Sequence, residues 1–82
     1  MKKYQSHKIV EAAVIVGYDN AGTNKHTFGV WINPGHKWME VPKDFFARGM
    51  PNMGDYLVRY EEGYLSWSPK AVFEAGYSEI KD

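Results

Sequence analysis

The 82-residue chain contains no cysteine, so neither a disulfide framework nor a thiolate zinc site can brace it. It has no apolar run approaching the roughly 20 residues that span a bilayer. No stretch has the charged, apolar and small-residue layout of a secretory signal. Neither sign of charge is in excess, since ten Lys and Arg offset ten Asp and Glu. A balanced surface provides no general field toward nucleic-acid phosphates and no acidic imitation of DNA. These absences predict a soluble protein of a reducing cytosol with no membrane partner and no stable nucleic-acid partner. Its contacts must be chosen locally.

Catalytic signatures are equally scarce. There is no phosphate-cradling Walker loop, no dinucleotide glycine fingerprint and no HExxH. His7, His26 and His36 lie far apart, with no metal-site spacing between any two. Glu61 and Glu62 are adjacent acids, but they fall at a turn, where solvation keeps two carboxylates alike rather than pushing their pKa values apart. Ser66 and Ser68 have neither a neighbouring histidine nor a strained elbow. The reading is of a protein that is not an enzyme and needs no metal and no cofactor.

What the chain does have is aromatics: six Tyr, four Phe and three Trp, 16% of its residues. A single domain of this length, residues 1–82, buries only about 60–65% of its unfolded surface, so a thin core cannot hide thirteen rings. Some must face a ligand, a second subunit or water.

Residues 8–18, KIVEAAVIVGY, alternate so that Val10, Ala12, Val14, Val16 and Tyr18 share one face and Ile9, Glu11, Ala13 and Ile15 the other. The β-branched content makes this a strand. DNAGTNK, residues 19–25, is a loop rich in turn formers. A calcium loop is excluded there, because its glycine is fourth rather than sixth and the twelfth position is Val30. The following segment, HTFGVWINPGHKWMEVP, reads as a hairpin. A two-residue Pro34–Gly35 loop sets Trp31 opposite Trp38 as an aromatic wall away from the core; a one-residue slip separates the rings. Pro42 and Gly49 bracket a short helix over about Lys43 to Arg48, anchored by Phe45 and Phe46. In DYLVRYEEGYLSWSP, Gly63 takes the left-handed position of a second hairpin whose Tyr60–Tyr64 pairing puts Leu57, Arg59, Leu65 and Trp67 on one face and Tyr56, Val58, Tyr60, Tyr64 and Ser66 on the other. Ser68 as N-cap and Pro69 at the first position open a second helix to about Ala75, with Val72 and Phe73 as anchors, and YSEI returns as an edge strand. The expected fold is α+β: a small antiparallel sheet of about five strands, built on two hairpins, with two short helices. Apolar residues on both sheet faces predict cover by the helices on one side and by a second subunit on the other.

The opening YQSHK, Tyr4 to Lys8, sets a phenol, an amide, a hydroxyl, an imidazole and an ammonium before the long strand. Two readings stand: a solvated strand opening, polar because exposed, or one side of a polar pocket. In the second, Gln5, Ser6 and His7 hydrogen-bond a base or ribose, and Lys8 and Arg59 balance phosphate. Tyr4 and Trp67 stack bases, a contact worth about 1–3 kcal/mol each.

YQSHKIVEA at residues 4–12 and GDYLVRYEEGYLSWSPKAVFEAGY at residues 54–77 resemble a family of small accessory proteins of tailed bacteriophages. These share a Tyr-x-Ser-His-Lys opening and a Ser-x-Ser-Pro and Phe-Glu-x-Gly-Tyr ending. In size and build the chain is also similar to the phage anti-CBASS and anti-Thoeris sponges, which assemble as oligomers and sequester cyclic nucleotide immune signals. The resemblance implies an immune-evasion protein in the cytoplasm of the host cell. It would be a homo-oligomer, a tetramer being one candidate state, that binds a cyclic dinucleotide without turnover. The expected ligand-binding residues, placed by chemistry and position, are Tyr4, Gln5, Ser6, His7, Lys8, Arg59 and Trp67. A different class of function is an inhibitor or accessory factor gripping a host or virion protein through Trp31 and Trp38. A single-stranded nucleic-acid binder is a third, disfavoured by the neutral net charge.

Overall fold

The computed structural model describes residues 1–19 and 28–80. Most of the turn-former loop expected at 19–25, the calcium reading excluded there, and His26 lie outside the described residues.

Among the described residues, seven antiparallel strands form one sheet. β1 (Lys2–Gln5) turns into β2 (Ile9–Asp19), the eleven-residue strand on which the rest is built; then come β3 (Phe28–Asn33) and β4 (Lys37–Val41). A 3-10 helix (Lys43–Phe46) leads to β5 (Tyr56–Arg59), β6 (Leu65–Ser68), helix α1 (Lys70–Gly76) and β7 (Ser78–Glu79). β2 is long enough to serve three partners. Its first half pairs with β1, its second half with β3, and its middle with β5.

The α+β reading holds, with more sheet and less helix than expected. Among the described residues there are seven strands rather than about five: β7 is the edge strand expected at YSEI, and β1 is added because the polar opening pairs with Ile9–Ala12. The first expected helix closes only a 3-10 turn, ending at Phe46 rather than Arg48. Its short run between Pro42 and Gly49 cannot sustain α-helical bonding.

Both hairpins take the expected registers: Trp31 pairs with Trp38, and the Tyr60 amide donates to the Tyr64 carbonyl at 2.9 Å. Gly63, at φ 92°, supplies the left-handed turn position. One expected face assignment fails. The register with β3 shifts between Ile15 and Gly17, so Tyr18 pairs with Val30 and leans toward Phe46, away from Val10 and Ala12. An extra residue in one strand inverts alternation beyond it.

The sheet carries a cluster on each face. Ala13, Ile15, Val30, Ile32, Val41 and Leu57 pack under Phe45 from the 3-10 helix. On the other face, Val10, Ala12, Tyr56 and Val58 pack under Phe73 from α1. Phe73 stacks on Tyr56 at 4.4 Å and on Tyr77 at 4.6 Å. Ser68 does not cap α1; it belongs to β6, and its hydroxyl reaches only the Pro69 carbonyl, at 3.4 Å. Asp55 does the capping. Buried at 6% exposure, it accepts the Lys70 amide at 2.9 Å on one carboxylate oxygen and the Asn52 amide at 2.8 Å on the other.

Candidate functional site

Because β2 pairs with β1 at Gln5–Ile9 and with β5 at Glu11–Arg59, the turns leaving both neighbours project from the same end of the sheet. Between them lies an open cleft of about 760 Å³. One wall carries Gln5, His7 and Lys8; the opposite wall carries Tyr60, Glu61 and Glu62. Ile9, Glu11 and Arg59 form the floor.

The cleft is electrostatically divided. Arg59 donates from Nε and Nη2 to Glu11 Oε1 at 2.9 and 2.7 Å. That bond, more than the charge of Arg59, holds the Glu11 carboxyl below its usual range against a smaller opposing effect of burial. The floor is thereby neutralised, leaving Lys8 on one wall and two carboxylates on the other. Ser6 acts through its neighbour: its Oγ accepts the His7 amide at 2.5 Å and lies 3.3 Å from His7 Nδ1. Burial, followed by the nearby phenols of Tyr77 and Tyr64, pushes the Tyr60 phenol up.

Of the residues expected at a ligand site, Gln5, His7, Lys8 and Arg59 come together here, with Ser6 against His7. Tyr4 and Trp67 do not. Tyr4 pairs with Val10 on the α1 face, its ring 4.9 Å from Phe73 and 5.9 Å from Tyr56. Trp67 lies opposite Leu57 against the Phe45 cluster, under the Arg48 guanidinium at 4.9 Å. The base-stacking role proposed for these two has no ring in the cleft from either of them. Tyr60 is the aromatic residue that borders it, next to the turn glutamates, but its ring packs against the Phe73 cluster and stacks on Tyr64 at 6.0 Å. Arg59 is also not a free cation, because Glu11 stands directly across the strand pair.

Trp31 and Trp38 form a second feature on the face opposite the Phe45 cluster. Their rings lie 5.0 Å apart at 61°, each is 37% exposed, and His36 stacks on Trp31 at 5.0 Å. The seat is made by absent side chains: a Cβ at Gly29 would fall 2.2 Å from the Trp38 ring, and one at Gly17 3.2 Å from Trp31. Beside this wall a smaller cleft of about 450 Å³ runs between Tyr4 and the Pro34–Gly35 turn.

Among the described residues no three His, Asp or Glu side chains group as a metal site, and no helix is long and apolar enough to cross a membrane. No family model, curated protein or solved structure matches the chain.

Proposed function

We propose that the protein captures a cyclic nucleotide signal without turning it over, in the cleft between the β1–β2 and β5–β6 turns, and works as a homo-oligomeric phage immune-evasion sponge in the host cytoplasm. The observation that carries the ligand reading is convergence: Gln5, His7, Lys8 and Arg59 come from two distant segments to one cleft. The phage setting rests on the resemblance of residues 4–12 and 54–77. The division of charge narrows the ligand. A phosphate fits the Lys8 and His7 wall, and a base presenting N–H groups fits the Glu61 and Glu62 wall, since ionised carboxylates only accept hydrogen bonds.

Titration calorimetry with a cyclic dinucleotide tests this. Lys8→Ala should weaken binding about 10- to 100-fold, the worth of a hydrogen bond to a charged group. Unchanged binding in Lys8→Ala and His7→Ala would remove the cleft from the account.

A second reading, a protein inhibitor or accessory factor that grips a host or virion protein, is favoured by the exposed Trp31–Trp38 pair. Trp31→Ala would harm that contact and spare nucleotide capture.

A further inference from the structure

The edges of a sheet are templates for another strand unless something blocks them. Among the described residues, β7 offers only two residues, and β6 is guarded by Arg48, whose guanidinium donates to the Trp67 carbonyl and reaches Ser66 Oγ at 3.5 Å. β4 is different. It ends the strand order with five residues and no described strand beyond it.

The residues along this edge complement themselves. Trp38 and Glu40 alternate onto one face of β4, and His36, the left-handed turn residue (φ 48°) just before the strand, reaches the same face by stacking on Trp31, the cross-strand partner of Trp38. Antiparallel pairing of two β4 strands about a two-fold axis at Trp38 sets Trp38 against the partner's Trp38 and His36 against the partner's Glu40, twice over. An axis at Met39 instead sets Trp38 against a carboxylate and His36 against the partner's Pro42. An axis between the two residues opposes side chains of opposite faces and is excluded by the pleat. The face in question is also the half of the sheet that α1 leaves uncovered, since its anchor Phe73 packs over Val10, Tyr56 and Val58.

We propose that β4 pairs with β4 of a second copy about a two-fold axis at Trp38. The pairing continues the sheet across the dimer and joins the tryptophans of both copies into one row, flanked by two His36–Glu40 pairs. Every lining residue of the nucleotide cleft belongs to β1, β2, β5 or their turns, so dimerisation leaves it open. The pairing therefore stands or falls independently of the ligand reading. A five-residue edge covers less area than the roughly 1,200 Å² of a stable interface, so the dimer forms reversibly with concentration.

Sedimentation velocity of the full chain across about 5–500 μM tests the pairing. The expected result is a concentration-dependent rise toward twice the 9.4 kDa chain mass. Trp38→Asp should remain at the chain mass throughout, with far-ultraviolet circular dichroism confirming its fold. Glu40→Lys should weaken the dimer by about fivefold, as expected when two cross-strand hydrogen-bonding pairs are lost. The double variant His36→Glu with Glu40→Lys should recover it. A wild-type chain that stays at 9.4 kDa at every concentration overturns the pairing and leaves the tryptophan surface to a host protein. A dimer indifferent to Trp38→Asp, or one the double variant does not recover, overturns it as well.

Discussion

One carboxylate, that of Asp55, ties the start of α1 to the approach of β5. It is nearly buried and accepts two backbone amides, those of Lys70 and Asn52. Asp55→Ala loses a helix cap and orphans two donors, so it should cost about 2–4 kcal/mol and lower the melting temperature by more than about 10 °C. Ser68→Ala, at the position the sequence marks as the cap, should cost only tenths of that. Tyr56 makes a pH-dependent contribution. Burial, reinforced by donation of its hydroxyl to Glu74 Oε2 at 2.7 Å, raises its pKa well above the unfolded value near 10. Its raised pKa means the folded state keeps the proton longer. The associated stability is complete below about pH 10 and is lost as pH rises toward the folded value. Thermal melts from about pH 9 to 12 should fall less steeply for Tyr56→Phe than for the wild type. Glu11 has the opposite sign, its lowered pKa contributing stability above the carboxylate range that is lost on acidification. Both partners of that pair are more than a third exposed, so the amount is small. Its importance is for the cleft: Glu11→Gln frees Arg59 and should tighten binding of an anionic nucleotide severalfold, read by calorimetry at low salt.

Among the elements, the hairpins were the most legible in the sequence. Alternation and turn chemistry alone set Trp31 against Trp38 and Tyr60 against Tyr64, and both registers are observed. Three things escaped a local reading. The bulge after Ile15 inverts the face of Tyr18, although Gly17 was a signal for it. Asp55 displaces Ser68 as the cap across fifteen residues, a contact no local capping pattern encodes. β1 was legible as a polar stretch but not as a strand, because its pairing with β2 and β7 is settled by tertiary neighbours. The alternation rule applied to β1 would have separated Tyr4 from Gln5, sending the ring to Phe73 and the amide to the cleft. At this scale α1 depends on one anchor. Phe73 is 2% exposed and meets three aromatic rings. Phe73→Ala should cost about 3–5 kcal/mol, and amide exchange should show α1 and β7 released first, whereas the exposed Val72→Ala should leave them protected.

For the molecule as a whole, half of the candidate site was readable because Gln5, His7 and Lys8 are adjacent in sequence. The other half, Tyr60 to Glu62, joins them only because β2 holds two turns at one end of the sheet. Acidic residues at a turn read as solvated in isolation; opposite Lys8 they become the second wall of a cleft. The central claim is that this cleft captures a cyclic nucleotide. Its most direct test is thermal unfolding of the purified chain against cyclic dinucleotides and trinucleotides, cyclic ADP-ribose-type signals and short single-stranded DNA and RNA. A ligand present at about a thousand times its dissociation constant adds about 4 kcal/mol, and a domain of this size moves about 4–8 °C per kcal/mol. The account predicts a rise above about 15 °C with one cyclic nucleotide, lost in the Lys8→Ala variant. No rise with any cyclic nucleotide, or an equal rise in Lys8→Ala, would contradict it.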